Sequence, residues 1–217
     1  MKINVSTRII GNKVILVPYR RHHVEQYHKW MALPEIQQLT SSEPLSLDDE
    51  YKMQESWRND EDKLTFIILR RDLYDDARRG EAGTDNERNE IEAMVGDVNV
   101  FISSTAAGDD GSKGTAELEV MVVDEANRGK GYGIEAVFLI MTYCLTHVLK
   151  PSIAKFVVKI GEEDVPSIRV FEKLGFKFQE LVKVFKQITL KLDINEETIS
   201  QLNALFKDTK FIIENDY

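Results

Sequence analysis

ELEVMVV at residues 117–123 and RGKGYG at residues 128–133 stand close together in this chain. The first motif is rich in β-branched residues and alternates with period two, which predicts a buried strand. Residues 134–149 carry apolar side chains at helical spacing and contain no proline, which predicts a helix. A strand, a glycine-rich turn and a helix therefore follow one another directly.

The glycine-rich turn has the composition of an anion-binding site. Glycines let the backbone approach a ligand closely, and a helix start offers unpaired N–H groups and a positive dipole end. Arg128 and Lys130 add positive charge at the same point. We expect a pyrophosphate-binding turn; the alternative is a tight turn between strand and helix with two solvated cations. No G-x-G-x-x-G pattern follows the early strand, and residues 108–114 lack the P-loop spacing.

The composition is that of an ordinary globular protein. With 217 residues, of which 42% are hydrophobic and 30% charged, the chain fits a single domain spanning residues 1–217. A net charge of −9 argues against nucleic acid as a partner. No signal peptide opens the chain and no apolar run could span a bilayer, so we expect a cytoplasmic protein without a membrane partner. The lone cysteine, Cys144, is expected to pack in the core.

Strands and helices alternate along the rest of the chain without a linker between domains. The predicted strands are Lys13–Tyr19, Leu64–Leu69, Met94–Ile102, Ile153–Ile160 and Val182–Leu192, with Phe176–Leu181 as a pairing partner. The predicted helices are Arg21–Ala32, Leu47–Trp57, Asp164–Leu174 and Asn195–Phe206, the last opening a C-terminal helix and tail over residues 195–217. Residues 72–92 are charged and show no apolar period, so we expect a flexible acidic insert there. Residues 103–114 resemble a hairpin loop.

The turn also carries a family signature. Arg128-x-x-Gly131-x-Gly133 resembles the coenzyme A motif Arg-x-x-Gly-x-Gly of the GCN5-related N-acetyltransferase (GNAT) superfamily, and the order of the predicted elements is similar to that superfamily. The resemblance implies an α/β (mixed α+β) GNAT fold. Such a fold has a central mixed, mostly antiparallel sheet of about seven strands, flanked by helices and splayed around the acetyl-CoA cleft. It also implies acetyl-CoA as co-substrate.

A second signature of the family follows later in the chain. Residues 167–176, SIRVFEKLGF, resemble the pattern Asn-x-x-Ser-Ile-x-x-Tyr-x-x-x-Gly-Phe. Two positions depart from it. Asp164 stands where the family's coenzyme-contacting asparagine usually stands, and Phe171 stands where many members place the tyrosine that protonates the departing thiolate.

Several short segments are similar to the branch of this superfamily called N-acetyltransferase nine. They include residues 1–4 (MKIN), 27–31 (YHKWM), 42–45 (SEPL), 94–99 (MVGDVN), 159–161 (KIG) and 166–169 (PSIR). Resemblance to that branch implies acetylation of protein N-termini, with tubulin as the acceptor suggested for it.

The resemblance implies a catalytic role for Glu119, where many members keep a general base. Glu117 lies on the same face of the strand, so repulsion between the two carboxylates would raise one pKa; the alternative is that both face solvent or pair with cations. The predicted coenzyme-binding residues are Met121, Val122, Val123, Arg128, Gly129, Lys130, Gly131, Tyr132, Gly133, Asp164, Ser167 and Phe171. The histidines show no ligand spacing, so we expect no metal, and His22, His23 and His28 as surface or packing residues.

The chemistry of the acceptor can be weighed independently. A model α-amino group has a pKa of about 7.7–8.0 and lysine about 10.4, so at pH 7 deprotonation costs on the order of 1 kcal/mol for the former and roughly 4–5 for the latter. An N-terminal acceptor therefore demands little of a base. The sequence predicts an N-acetyltransferase acting on a protein N-terminal α-amine. The alternative is a catalytically weak acyl-CoA-binding or interaction module, because Phe171 cannot donate a proton.

Overall fold

A computed structural model of the protein describes residues 2–79, 85–103, 114–148 and 153–217. Its strands are β1 (Arg8–Ile10), β2 (Val14–Pro18), β3 (Lys63–Arg70), β4 (Met94–Ser103), β5 (Gly114–Val122), β6 (Ile153–Gly161), β7 (Lys177–Val182), β8 (Gln187–Asp193) and β9 (Ile212–Glu214). Its α-helices are α1 (Val24–Met31), α2 (Pro34–Thr40), α3 (Leu47–Asn59), α4 (Arg71–Arg79), α5 (Asn86–Ala93), α6 (Tyr132–Tyr143), α7 (Val165–Lys173) and α8 (Glu196–Leu205). No helix in these described ranges is both long and apolar enough to cross a membrane.

The described strands form one mixed sheet in the order β7-β8-β6-β5-β4-β3-β2-β1-β9. Only β5 and β6 pair in parallel among these strands, and α6 provides the crossover between them. The predicted class of fold is confirmed, but the sheet has nine strands rather than about seven. The additional strands β1 and β9 contain three residues each, too few to show a period in the sequence.

The sheet opens between β5 and β6. Their pairing ends at Leu118 and Val158, whereas β5 continues to Val122 and β6 continues to Gly161. The two strands therefore diverge over their last residues, as the sequence analysis expected of the acetyl-CoA cleft. This divergence leaves backbone groups of β5 without a neighbouring strand.

Buried side chains cover both faces of the sheet. One cluster contains Leu16, Phe66 and Val98 together with α6 residues such as Val137 and Ile140. The other holds alternate residues of the same strands with the aromatic side chains of α1. Because successive strand residues point to opposite faces, the clusters lie on opposite sides. Helix α6 covers one face, and helices α1 and α3 lie over the other, where the cleft opens. Cys144 is fully buried, as predicted.

The segment of residues 72–92, where the sequence analysis expected a flexible acidic insert, is mostly helical where the structure describes it. Helices α4 and α5 occupy most of this segment, and residues 80–84 lie outside the described residues. Exposed ion pairs along the helices join Arg71 to Asp75 and Arg88 to Glu92, while Tyr74 is buried. A helix that contributes so few apolar side chains has no visible apolar period, so periodicity could not detect it.

Two element boundaries and one additional helix differ from the prediction. The predicted strand Val182–Leu192 is interrupted by a turn at residues 183–186, where Lys186 adopts a φ of 49°. Helix α6 begins two residues before residue 134 and passes into a π-helical turn, Cys144–Val148. Helix α2 was not predicted; it starts with proline in its first turn, where the missing N–H is tolerated. Most of the predicted hairpin loop, residues 104–113, lies outside the described residues.

Candidate active site

A cavity of about 370 Å³ lies where β5 and β6 diverge. Its floor is formed by alternate residues of β4, consecutive residues 117–121 of β5 and the end of β6, and its other wall by α1, α3 and the segment that follows α2. Lining residues from the predicted set are Glu117, Glu119, Met121, Asp164, Ser167 and Phe171. The fold thus gathers the catalytic candidates and the second signature in one cleft, although they are distant in sequence.

The glycine-rich turn joins β5 to α6 at the end of this cleft. Gly129 and Gly131 have φ values of 71° and 90°, a left-handed region that L side chains adopt only at a cost. The first intrahelical bond runs from Glu135 N to Gly131 O, so the preceding N–H groups of the first turn have no helical partner. This arrangement suits an anion, as the sequence predicted.

Arg128 holds the turn in place. Its guanidinium donates to the carbonyl oxygens of Val122 at 3.0 Å and Val123 at 2.7 Å, so it folds back onto β5. The Lys13 ammonium donates to Lys130 O at 2.8 Å from the other side. The side chain of Lys130 itself is exposed. Of the two predicted cations, Lys130 is the one whose charge is free to meet a phosphate, whereas Arg128 shapes the turn.

The backbone N–H groups at the end of β5 are divided between β4 and the gap toward β6. The N–H of Val123 donates to Val95 O of β4 at 3.0 Å and is therefore committed to the sheet. Because N–H groups alternate along a strand, Met121 also turns its N–H toward β4, and Val120 and Val122 turn theirs toward the gap. Of the coenzyme-binding candidates Met121, Val122 and Val123, only Val122 therefore turns its N–H toward the gap, and Val120 of the same strand does so too.

The two glutamates of β5 have different surroundings. Glu117 accepts a hydrogen bond from the Lys159 ammonium at 2.8 Å, so its charge is paired. Glu119 has no such partner among the described residues, and its side chain reaches the solvent-filled cleft. The cleft walls still remove part of its hydration, and this desolvation raises the pKa of Glu119. The positive charge of Lys63 opposes this rise, and the negative charge of Glu117 adds to it. The geometry therefore favours Glu119 over Glu117 as a proton acceptor.

Residues that the sequence analysis missed lie beside Glu119. Asn99 on β4 is its direct cross-strand neighbour. The amide of Asn99 donates to Asp97 Oδ2 at 2.8 Å, and the Tyr27 hydroxyl donates to the same oxygen at 3.4 Å. Burial raises the pKa of Asp97 to about 6, the amide of Asn99 opposes that rise, and Glu119 adds to it. These residues meet only through strand pairing and helix packing, so no local motif announces them.

Lys63 is the cation of this group. It is 3% exposed, and its ammonium lies 2.9 Å from the centre of the Trp57 ring and 4.2 Å from that of Phe101. Desolvation lowers its pKa to about 8, against the opposing pull of Glu119 and then Asp97. Aromatic faces stabilise a cation without neutralising it. The cleft therefore holds one buried cation among several carboxyl groups.

Helix α7 supplies the wall opposite β4. The carboxylate of Asp164 accepts the N–H of Ser167 at 3.1 Å and caps this helix. A helix cap accounts for the aspartate at a position where the family usually has asparagine. Phe171 is 1% exposed and packs edge to face against Phe176, with ring centres 5.1 Å apart. It carries no hydroxyl, so α7 offers no phenol to the cleft.

A separate cluster involves His22, His23 and Glu90, whose ligand atoms lie within 4.8 Å of one another. Sequence spacing did not reveal it, because Glu90 comes from α5. His23 Nδ1 accepts the N–H of Arg20 at 3.1 Å, and burial lowers the pKa of His23. The neutral ring must then carry its proton on Nε2, which points to Glu90 at 2.8 Å. Hydrogen bonds to Glu90 thus hold His22 and His23 together in this structure.

His28 is partly buried beside Glu50, with 3.8 Å between its Nδ1 and the nearer carboxylate oxygen. Glu50 is 1% exposed and lines the cleft, and burial raises its pKa. Its second oxygen has no hydrogen-bond partner among the described residues. The cleft wall therefore includes another carboxyl group that the sequence analysis did not single out.

The sequence model of one protein family, the acetyltransferase (GNAT) domain, matches residues 13–177, so the chain belongs to the GNAT acetyltransferases. It is an acetyl-CoA-dependent N-acetyltransferase. Among its relatives, an N-acetyltransferase 9-like protein of Dictyostelium discoideum is 46% identical over 96% of this chain and 95% of that protein. The alpha/beta-tubulin-N-acetyltransferase 9 of Homo sapiens is 41% identical over 100% of this chain and 96% of that protein.

A solved structure agrees on the fold. Mycobacterium smegmatis RimJ in complex with CoA-disulfide superposes with a TM-score of 0.64 at 14% identity, covering 93% of this chain and 95% of that one. The predicted superfamily and its N-acetyltransferase nine branch are both confirmed by these matches.

Proposed function

We propose that this chain transfers the acetyl group of acetyl-CoA to the α-amino group of a protein N-terminus, and that tubulin is an acceptor. The observation that carries the proposal is Glu119, an unpaired carboxylate with a raised pKa at the point where β5 leaves β6. A single base of this kind suffices for an α-amine, whose deprotonation is inexpensive near neutral pH. The name of the human relative supports tubulin as the acceptor.

The residues present fit the co-substrate. The first-turn N–H groups of α6 and the ammonium of Lys130 would hold its phosphates, and Arg128 would keep the turn in position. The N–H groups of Val120 and Val122 would face its pantetheine arm. When bound, acetyl-CoA supplies the thioester carbonyl that the amine attacks. Anchoring at the distant phosphates positions that carbonyl, so binding energy contributes to the reaction.

The proposed proton and bond changes balance without a metal. Glu119 takes one proton from the incoming ammonium, directly or through water, and the freed amine nitrogen bonds to the carbonyl carbon. The N–H of Val122 stabilises the oxyanion. The carbon–sulfur bond then breaks, and the surplus proton on the nitrogen passes through water to the thiolate, since Phe171 has none to give. Glu119 finally releases its proton to the solvent. Asn99 and Asp97 lie beside Glu119 and make its surroundings acceptor-rich, which suits an incoming ammonium.

The test is acetyl transfer to short peptides that have free or blocked N-termini, with small amines and polyamines as further acceptors. We expect transfer to free α-amines only, and a tubulin N-terminal peptide among the better acceptors. Transfer to a blocked peptide that contains lysine would refute the α-amine assignment. Coenzyme binding without transfer to any acceptor would favour the binding-module alternative. The cytoplasmic location stays a prediction, which microscopy of a tagged chain would test.

A further inference from the structure

A second cavity, of about 480 Å³, lies outside the acetyl-transfer cleft and shares no lining residue with it. It is bounded by the end of β2, the residues between β2 and α1, one side of α3 and the start of α5. Its charged lining consists of Arg20, Arg21, Arg58, His22 and Glu87. The chain as a whole has a net charge of −9, so a cavity with three arginines and one glutamate is a local reversal of charge.

Two of these arginines, Arg21 and Arg58, form no ion pair with the described residues. Arg58 makes no hydrogen bond or ion pair with the described residues, and its side chain is exposed. The guanidinium of Arg21 lies over the Tyr51 ring at 4.2 Å and has no carboxylate partner in the described ranges. Arg20 differs, since it donates to Tyr217 O at 2.7 Å. Glu87 is drawn toward His22, 3.6 Å from its Nδ1. The cavity thus retains uncompensated positive charge.

The cavity lies next to the cleft wall formed by α1 and α3, which we take as the side where the acceptor enters. Helix α3 separates the two: Tyr51 and Arg58 line the basic cavity, and Glu50, Met53 and Trp57 line the cleft. Tyr19 closes the wall between them, with its ring centre 6.1 Å from that of Trp57. A helix with its side chains is about 10–12 Å wide. An extended peptide spans this width in roughly three or four residues, at about 3.3–3.6 Å each.

We propose that the basic cavity binds acidic side chains of the acceptor polypeptide, downstream of the N-terminus that enters the cleft. This inference rests on the proposed function. Guanidinium groups match carboxylates in a bidentate geometry, and two uncommitted arginines provide such groups. The cavity therefore selects acceptors that carry aspartate or glutamate from about the fourth residue onward. It acts on the affinity for the acceptor and leaves the chemical step and the coenzyme untouched.

The test compares two free-N-terminal peptides that are identical except for glutamate or glutamine at the downstream positions. For the unaltered protein we expect a KM lower by on the order of fivefold for the glutamate peptide, with equal kcat, because exposed ion pairs contribute modestly. Raising the salt concentration should remove the difference. The double variant Arg21→Gln/Arg58→Gln should lose the preference and keep its kcat and its KM for acetyl-CoA. The control variant Arg88→Gln, on α5 and outside the cavity lining, should retain the preference.

A binding arm separates this inference from the proposed function. A fluorescent glutamate peptide with an acetylated N-terminus cannot react, but it should bind the unaltered protein and not the double variant. If no α-amine is acetylated and this binding persists, the proposed function fails and the cavity assignment stands. If the double variant keeps the preference, or the unaltered protein has none, the cavity assignment is wrong. Full displacement of the peptide by millimolar inorganic phosphate would show a small-anion site instead, which also overturns it.

Discussion

Replacing Glu119 by glutamine should separate base catalysis from every other property of the cleft. The change keeps the size and polarity of the side chain but removes its proton affinity. A positioned general base contributes about 10²–10⁴-fold to a rate. An α-amine with a pKa of about 7.7–8.0 is already roughly 10–15% neutral at pH 7, so we expect a loss at the low end, about 10²-fold.

The pH dependence makes this prediction specific. Without a base, only the neutral amine reacts, so kcat/KM of Glu119→Gln should rise roughly six- to tenfold between pH 7 and pH 9, as the amine loses its proton. In the unaltered protein, deprotonated Glu119 accepts that proton, so the rate changes little over this range. It should fall at lower pH, as the raised pKa of Glu119 and the pKa of Asp97, about 6, are crossed.

Initial rates with a free-N-terminal peptide, measured alongside coenzyme binding by calorimetry, provide the assay. Glu117→Gln is the matched control, two residues away on the same face of β5. Because Glu117 is already paired with Lys159 at a half-exposed site, its loss should change the rate by less than about fivefold. If Glu119→Gln turned over at nearly the normal rate, with its coenzyme dissociation constant unchanged, the assignment of the base would be refuted.

Four further substitutions test the glycine-rich turn, the β4–β5 contact and the cluster around Glu90. Gly131→Ala should cost about 1–2 kcal/mol of stability because of its φ of 90°, and it should also weaken coenzyme binding. Gly129→Ala, whose added methyl group meets open space, should show only the cost of its positive φ. Thermal unfolding with and without coenzyme A distinguishes the two variants. In Gly96→Ala, the added methyl group would overlap the carbonyl oxygen of Met121. We expect a loss of about 1–3 kcal/mol of stability, seen as a lower melting temperature, together with a lower turnover. Burial alone would raise the pKa of Glu90, but hydrogen bonds from His22 and His23 outweigh it and lower that pKa from 4.5 to about 2. The resulting stability is present above pH 4.5 and lost as the pH falls toward 2, so acid unfolding of Glu90→Gln should be less steep over that window.

Local patterns in the sequence were sufficient for the central part of the fold. The strands around residues 64–69 and 94–102 are apolar-rich runs, because they are buried on both faces of the sheet. The strand–turn–helix that begins at residue 117 shows strand alternation followed by helical spacing. Helices α4 and α5 were not predicted because they bury no apolar stripe: α4 buries Tyr74, and α5 buries Asn89, Glu90 and Ala93, of which two are polar. Strand β1 lies between β2 and β9 and pairs with both, so the edge strand β9 forms only where the two ends of the sequence meet.

The candidate site divides in the same way. Glu119 and the turn at 128–133 belong to one contiguous motif, so the sequence located them directly. Asn99 and Asp97 join them through a register between β4 and β5, and Tyr27 joins through the packing of α1. The register of two paired strands depends on side chains that are far apart in the chain. The sequence alone therefore did not indicate that these residues lie next to Glu119.

Phe171 bears on how the coenzyme leaves. It is buried, packed against Phe176, and lines the cleft at the position where the family usually has a tyrosine. A thiol pKa near 8.5 makes the thiolate a tolerable leaving group without an acid. We therefore expect Phe171→Tyr to change kcat by less than about twofold, while a hydroxyl buried without a partner lowers stability by about 1–3 kcal/mol. Single-turnover rates and thermal unfolding measure the two effects separately. A tenfold gain in the chemical step would show instead that proton transfer to sulfur limits this enzyme, and that water is a poor substitute for the missing phenol.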